Sequence, residues 1–222
     1  MSEIVSLVEE FSHALESHAP RYELQLSGPI IQRLSAYYEQ VNHWNTRLHL
    51  VAPCSPEEFA TRHVLESMLA LRFLTPHARV ADVGSGAGLP IIPCLIARED
   101  LHATLIEANA KKGVFLREAL RAAGLAERAR VVTERFEKTH APAADFITCR
   151  ALERLTEMFP TLLEWSTDAS TLLFFAGPTL RQQIERAALD YHSVHIPASE
   201  QRFLFVIKKS KVQSQEAEDC CS

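Results

Sequence analysis

Apolar residues recur every three to four positions through residues 1–77, which predicts helices. A first stripe runs between residues 4 and 15, and a second between residues 30 and 44 follows the break at Ser27-Gly28-Pro29. Ser55 is an N-cap candidate with Pro56 at the first helical position, so a third helix should begin there and end around Pro76. We therefore expect residues 1–77 to form an N-terminal helical extension.

From residue 78 the pattern changes to short apolar runs that alternate with amphipathic stretches. The runs predict strands at 79–83, 102–106, 129–133, 145–149 and 170–175, and a closing antiparallel pair at 191–196 and 203–208. The stretches between them predict helices at 90–98, 110–123, 152–163 and 180–189. This alternation indicates an α/β domain over 78–209, with a mostly parallel seven-stranded sheet covered on both faces, followed by a flexible tail at 210–222.

Composition excludes several classes of protein. With 47% hydrophobic and 23% charged residues the chain is typical of a globular protein, and its net charge of −5 excludes a surface coated for non-specific nucleic-acid binding. Basic residues outnumber acidic ones only in 78–150, by 11 to 9, so an anion should bind there. The longest apolar run, 89–97, contains two prolines and is well short of the roughly 20 residues of a membrane helix.

The beginning of the sequence and its cysteines point to the cytoplasm. No basic region followed by an apolar run is visible after Met1, so we expect no secretory signal. The five cysteines form neither a CxxC pair nor a Cys/His ligand pattern, so we expect reduced thiols and no metal.

A glycine-rich loop follows the first predicted strand. Residues 82–88 read Asp-Val-Gly-Ser-Gly-Ala-Gly and open a helix, where positive φ angles and exposed backbone N–H groups favour a bound ligand over a simple tight turn. We call residues 84–88 the glycine loop. Its G-x-G-x-G spacing differs from the dinucleotide pattern G-x-G-x-x-G, whose third glycine would stand at Leu89.

Glu107 closes the second predicted strand. A carboxylate there can accept both hydroxyls of an adenosine ribose, in S-adenosylmethionine (SAM) as in NAD. The alternative is a solvated helix cap before Asn109. Together with the glycine loop, the ligand-binding interpretation is favoured.

These residues resemble the RsmG (GidB) family of small-subunit ribosomal RNA guanine-N7 methyltransferases. The run from Asp82 to Pro90 is similar to the first SAM motif of that family. Further matches cover about residues 30 to 180 in the family's order, namely 44–50, 62–67, 105–109, 111–117, 135–137 and 148–151.

The resemblance implies a Rossmann-like SAM-dependent methyltransferase. It implies SAM contacts from Gly84, Leu89, Phe136, Glu137 and Arg150. Combined with the loop and Glu107, it assigns the methionine half of SAM to Asp82, Gly84, Gly86 and Leu89, and the adenosine half to Glu107, Phe136 and Glu137. Arg150 would lie between cofactor and substrate, as the one candidate catalytic side chain in a mechanism that depends on positioning.

Four positions depart from the family pattern. Ile91 stands where the family has glycine, Glu66 where it has aspartate, and Ala169-Ser170 where it has Gly-Gly. The family's Lys-Gly pair after strand 5 is replaced within Phe175-Ala176-Gly177-Pro178. The missing lysine bears on the substrate more than on SAM.

The end of the fourth strand bears on the reaction type. Methyltransferases of exocyclic amines place Asp/Asn-Pro-Pro-aromatic there, whereas this chain has Cys149-Arg150-Ala151-Leu152, which disfavours that reaction. Cys149 is expected to be a packing residue rather than a nucleophile. Arg150 could bind the methionine carboxylate or an RNA phosphate, or it could be a surface residue paired with an acid of the following helix.

Contacts to RNA are expected from Arg47, Arg62, His63, Lys111 and Lys112. The alternatives are a solvated helix face for the lysines and a core position for His63. The expected partner is ribosomal RNA within a 30S subunit or its precursor, bound by a monomer. Rival hypotheses are a methyltransferase of the same fold with another substrate, a non-catalytic nucleotide- or RNA-binding module and, more distantly, a nicotinamide enzyme.

Overall fold

Three helices precede the sheet in the computed structural model, which describes residues 2–150 and 155–209. Helix α1 spans Ser2–His18 and α2 spans Gly28–Leu48. The third is a continuous helix in four pieces: α3 (Pro56–Glu58), a π-helical segment (Phe59–Leu65), α4 (Glu66–Met68) and a 3-10 turn (Leu69–Arg72). None of the helices in these ranges is long and apolar enough to cross a membrane.

The start of the third helix is as predicted, and its middle is not. The Ser55 hydroxyl accepts a hydrogen bond of 3.1 Å from the backbone N–H of Glu58, and Pro56 occupies the first turn. The π-helical segment that follows widens the helix where Arg62 and His63 stand. Such segments are rare and are common at functional sites.

A seven-stranded sheet forms the rest of the described chain. Its strands, in chain order, are β1 (Arg79–Val83), β2 (His102–Ile106), β3 (Ala129–Val132), β4 (Phe146–Arg150), β5 (Thr171–Ala176), β6 (Asp190–His195) and β7 (Phe203–Lys208). The spatial order is β3-β2-β1-β4-β5-β7-β6. The first five strands are parallel, and β6 and β7 form an antiparallel pair, as predicted. The antiparallel pairing of β7 with β5 was not predicted.

Helices on both faces connect the parallel strands. They are α5 (Ile91–Ala97), α6 (Ala110–Ala122), α7 (Leu155–Trp165) and α8 (Pro178–Arg186). Strand and helix limits agree with the sequence prediction to within a few residues. The first predicted turn of α7 and the predicted tail at 210–222 lie outside the described residues.

Two apolar cores lie on opposite faces of the sheet. Phe11 of α1, Tyr37 of α2 and Phe59 of the third helix share one core with Phe115 of α6. The second core contains Phe174 of β5 together with residues of α7 and α8. The helical extension packs on α5 and α6, and residues of its third helix line the same cavity as the carboxyl ends of the strands.

Candidate active site

A cavity of about 800 Å³ opens at the carboxyl ends of the central strands. Its walls include Gly84 after β1, Glu107 after β2, Arg150 at the end of β4 and Ala176 at the end of β5. Ligands of open α/β sheets bind at this edge. All the predicted cofactor residues except Asp82 line the cavity, namely Gly84, Gly86, Leu89, Glu107, Phe136, Glu137 and Arg150.

The glycine loop has the backbone conformation that its sequence predicts. Gly84, Gly86 and Gly88 have φ angles of 70°, 51° and 86°, which side-chain-bearing residues rarely adopt. A Cβ on Gly88 would lie 2.3 Å from Cδ1 of Ile92, whereas one on Gly86 would meet only a carbonyl at 3.7 Å. Gly88 is thus needed for packing, and Gly86 leaves open space on the cavity side.

Glu107 is bonded to the glycine loop. Its Oε2 accepts a hydrogen bond of 2.8 Å from the N–H of Gly86, and its Oε1 accepts one of 2.8 Å from the N–H of Asn109. The residue is only 8% exposed, so the alternative of a solvated cap is wrong. Asn109 itself caps α6 by accepting from Lys111 and Lys112. Each carboxylate oxygen keeps a second lone pair for a ligand hydroxyl.

Phe136 and Glu137 lie in a 3-10 turn after β3, on the wall next to Glu107. The Phe136 ring contacts the Trp165 ring edge-on at 5.6 Å between centroids, which fixes its orientation. Glu137 accepts a hydrogen bond of 2.7 Å from Arg135, and this bond lowers the pKa of its carboxyl. The pair places an apolar ring and a charged carboxylate side by side.

Asp82 lies beneath the glycine loop and does not line the cavity. It is fully buried, and its Oδ1 accepts a hydrogen bond of 2.6 Å from the Thr148 hydroxyl. Its Oδ2 has no partner among the described residues, and burial raises the pKa of this carboxyl to about 7. Any contact of Asp82 with the methionine half of SAM remains a prediction.

A cluster of three charged side chains, Arg150, Glu66 and Arg202, also lines the cavity, and we call it the arginine clasp. Oε2 of Glu66, a buried residue, lies 3.2 Å from Nη2 of Arg150 and 2.7 Å from Nη1 of Arg202. Arg150 also donates to the Ser67 hydroxyl at 3.0 Å. Because arginine stays protonated in proteins, the clasp holds two positive charges against at most one negative charge.

The clasp excludes one alternative for Arg150, that of a surface residue. Its side chain is 12% exposed, so Arg150 is not a surface arginine. The guanidinium also donates to the backbone carbonyl of Arg62 and lies 5.4 Å from the centroid of the Phe175 ring. Strand β4 and the third helix thus hold it rigidly at the cavity wall.

His63 lines the same wall, in the π-helical segment. Burial, together with the nearby Arg150, Arg62 and Arg202, lowers the pKa of its ring to about 4. The imidazole is therefore neutral at pH 7. Its ring packs 5.2 Å from that of Phe59, between centroids. His63 is therefore partly buried, as expected of a core residue, and it also lines the cavity, as expected of a residue that contacts RNA.

The other predicted RNA-binding residues separate into two groups. Arg62 and Lys112 line the cavity with His63, whereas Arg47 and Lys111 are exposed outside its lining. Cys149 is fully buried in the second core and does not line the cavity, in agreement with a packing role. Within 2–150 and 155–209, no group of three or more His, Cys, Asp or Glu side chains is arranged to hold a metal ion.

Sequence reasoning missed Arg202 and the role of Glu66. Arg202 precedes β7 and reaches the cavity because the antiparallel hairpin of β6 and β7 folds back beside β5. No local pattern links this arginine to Glu66. The apolar run of β7 is the one available signal, since it predicts a hairpin but not where its loop points.

The sequence profile of the family described as GidB, rRNA small subunit methyltransferase G, matches residues 30–210. The ribosomal RNA small subunit methyltransferase G of Xanthomonas campestris pv. campestris (strain B100) is 38% identical over 200 residues, covering 86% of this chain and 91% of that protein. The protein of the same name from Halorhodospira halophila (strain DSM 244 / SL1) is 29% identical over 204 residues, covering 89% of this chain and 97% of that one.

Solved structures with a similar fold are methyltransferases. An RNA methyltransferase from Salinibacter ruber, in complex with S-adenosyl-L-homocysteine, superposes with a TM-score of 0.54 at 17% identity, over 75% of this chain and 100% of that one. The ribosomal protein L11 methylase of Lactobacillus delbrueckii subsp. bulgaricus gives 0.55 at 16% identity, over 67% and 79%. The predicted Rossmann-like methyltransferase fold is confirmed, and the chain belongs to the rRNA small subunit methyltransferase G family.

Proposed function

We propose that this chain transfers a methyl group from SAM to N7 of a guanine in small-subunit (16S) ribosomal RNA. Membership of the family supports the reaction class. The observation that carries the proposal is the bond between Glu107 and Gly86, because it places a sugar-binding carboxylate beside an open glycine loop in one cavity. That pairing is what an adenosine-containing donor requires.

The residues of the cavity fit SAM along its whole length. A volume of about 800 Å³ is within the range of cofactor sites. Glu107 would accept the ribose hydroxyls, and the ring of Phe136 with Glu137 would lie beside the adenine. Gly84, Gly86 and Leu89 would contact the methionine half, with Asp82 beneath them, and the surplus positive charge of the arginine clasp would attract its carboxylate.

The donor supplies a methyl carbon on a sulfonium, and the lone pair of N7 forms the new C–N bond as the C–S bond breaks with its electron pair on sulfur. N7 carries no proton in guanine, so no side chain has to act as a base. The work of the protein is then to align the two partners and to exclude water. Arg150 is the residue that we propose for this role, and its contacts with Ser67 and Glu66 at the end of β4 support the proposal.

Arg62, His63 and Lys112, which all line the cavity, are proposed to contact the RNA, with Arg47 and Lys111 contributing outside the cavity. A net charge of −5 supports modest affinity for naked RNA and a folded, protein-bearing substrate, such as the 30S subunit or its precursor. We propose a monomer, since Leu7 and Val114 are the only exposed large hydrophobic residues within 6–150 and 155–209. A ribosomal substrate supports a cytoplasmic location.

Titration calorimetry with SAM tests the cofactor site. The wild-type chain should bind SAM saturably, and Gly86→Arg should abolish binding because the new side chain would extend into the open space of the loop. Gly28→Arg is the matched control, since Gly28 is exposed and a Cβ added there would have no heavy atom within 4 Å. Absence of saturable binding to the wild type would favour a non-catalytic module.

Mass spectrometry of ribosomal RNA tests the substrate. A strain that lacks the gene should lose one N7-methylguanine from its small-subunit RNA. Complementation with the wild type, but not with Gly86→Arg, should restore it. An unchanged guanine methylation pattern, with SAM binding intact, would show that another molecule is the methyl acceptor.

A further inference from the structure

A buried hydroxyl of the helical extension is hydrogen-bonded to the glycine loop. Tyr37 of α2 is fully buried, and its Oη donates a hydrogen bond of 2.7 Å to the backbone carbonyl of Ala87. Burial also raises the pKa of the Tyr37 phenol, so the group keeps its proton and remains a donor. Ala87 is itself 5% exposed and lines the cavity.

The carbonyl of Ala87 depends on this donor. In a regular turn it would accept from the residue three positions on, which is Pro90 and has no N–H. The first helical hydrogen bond of α5 runs instead from the N–H of Ile92 to the carbonyl of Gly88. Within residues 2–150 and 155–209, the Tyr37 hydroxyl is the partner found for Ala87. A buried carbonyl without a donor is costly.

The two halves of the loop are held from different sides. The N–H groups of Gly84 and Ser85 donate to the carbonyl of Ile106 at 2.9 and 3.1 Å, and the N–H of Gly86 donates to Glu107. The first half is therefore fixed by β2 and its end. The second half, which leads into α5, is held by the hydrogen bond of Tyr37 to Ala87 and by one of 2.6 Å from the N–H of Gly88 to the carbonyl of Ser85.

We propose that Tyr37 is a positioning residue that sets the conformation of the glycine loop for binding of the methionine half of SAM. This inference rests on the proposed function of the cavity. The ring of Tyr37 packs against that of Phe59 at 6.3 Å between centroids, so the hydroxyl is held by the core of the helical extension. Tyr37 does not line the cavity, so it would contribute to cofactor affinity through the loop and not by touching the cofactor.

Tyr37→Phe removes the hydroxyl and keeps the ring. Tyr38→Phe is the matched control, because Tyr38 is the next residue of α2, is 3% exposed, and has its hydroxyl beside Asn42 rather than the loop. We expect Tyr37→Phe to raise the Kd and the KM for SAM by about tenfold, the effect of one lost hydrogen bond to a buried carbonyl, and to leave the KM for 30S subunits unchanged. Tyr38→Phe should leave both constants within twofold of the wild type.

Hydrogen–deuterium exchange gives a second readout. The peptide that covers residues 84–92 should exchange faster in Tyr37→Phe than in the wild type or Tyr38→Phe. A SAM Kd within twofold of the wild type in Tyr37→Phe, or equal rises in both variants, would overturn the inference, as would a Tyr37→Phe chain that does not fold. Failure of the wild type to bind SAM would overturn the proposed function instead.

Discussion

The carboxylate of Glu107 and the backbone N–H of Gly86 are joined by a hydrogen bond of 2.8 Å, so the end of β2 and the glycine loop after β1 form one unit. A bound adenosine would meet the acid and the loop together. Loss of the acid therefore removes a ligand group and a loop support at the same time.

Glu107→Ala should weaken SAM binding strongly. Hydrogen bonds to a charged group contribute about 1.5–3 kcal/mol each, so we expect the SAM Kd to rise by about 100-fold in calorimetry. Glu134→Ala is the control, because Glu134 also lines the cavity but is exposed. An unchanged Kd in Glu107→Ala would remove the acid from the site.

Gly88→Ala should destabilise the fold more than Gly124→Ala. Both glycines have positive φ angles, of 86° and 66°, but a Cβ on Gly124 meets no heavy atom within 4 Å whereas one on Gly88 collides with Ile92. We expect urea unfolding to show a loss of about 1 kcal/mol for Gly124→Ala, from the backbone alone, and about 3 kcal/mol for Gly88→Ala. Equal losses would mean that Ile92 moves aside freely.

Glu66→Gln should lower the free energy of unfolding, because the arginine clasp loses its carboxylate. It leaves the guanidinium groups of Arg150 and Arg202 near each other without their shared carboxylate, and breaking a buried ion pair costs about 3–5 kcal/mol. Glu58→Gln is the matched control, because Glu58 pairs with Arg62 at the surface. Such exposed pairs contribute only about 0–1 kcal/mol to the free energy of unfolding. Similar free energies of unfolding for the two variants would contradict a buried, charged clasp.

His63 should make stability fall toward acid pH. Its ring has a pKa of about 4 in the folded chain against about 6.5 when unfolded, so it is neutral in both states above pH 6.5. Between pH 6.5 and 4 only the unfolded chain takes up the proton, and the contribution of His63 is lost progressively as pH falls. The free energy of unfolding of the wild type, relative to His63→Gln, should drop by about 2–3 kcal/mol from pH 7 to 4. Parallel curves would show an exposed, unperturbed ring.

Asp82 should make stability fall as the pH rises, which is the opposite of the effect of His63. Its folded pKa of about 7 lies above the unfolded value of about 3.8, so its contribution is complete below pH 3.8 and is lost as pH rises through 7. Relative to Asp82→Asn, the wild type should lose on the order of 3 kcal/mol between pH 4 and 7 in urea unfolding. A constant difference would mean that Asp82 is ionised beneath the loop throughout this range.

The parts of the site that the sequence predicted are those built within one strand and the loop after it. The glycine loop, Glu107 and Arg150 each stand where a strand ends, and parallel strands bring such ends to one edge. Likewise Ser55 and Pro56 define a helix start by local chemistry alone.

The parts that could not be predicted depend on pairs of residues far apart in the chain. Glu66 meets Arg202 only because β7 returns beside β5, and Tyr37 meets Ala87 only because α2 packs on α5. Asp82 is buried because β1 is covered on both faces, and it lies beneath the glycine loop because the chain turns directly after Val83. The π-helical segment packs against α1, a contact that no local pattern of its residues predicts.

The link between Glu66 and Arg202 spans 136 positions of the chain. During synthesis the acid therefore emerges long before its second arginine, and the hairpin that carries this arginine is the last described element to be made. A nascent chain that ends after β5 already contains Glu66 and Arg150 but lacks Arg202. One wall of the cleft can therefore be completed only after the β6–β7 hairpin has been synthesised.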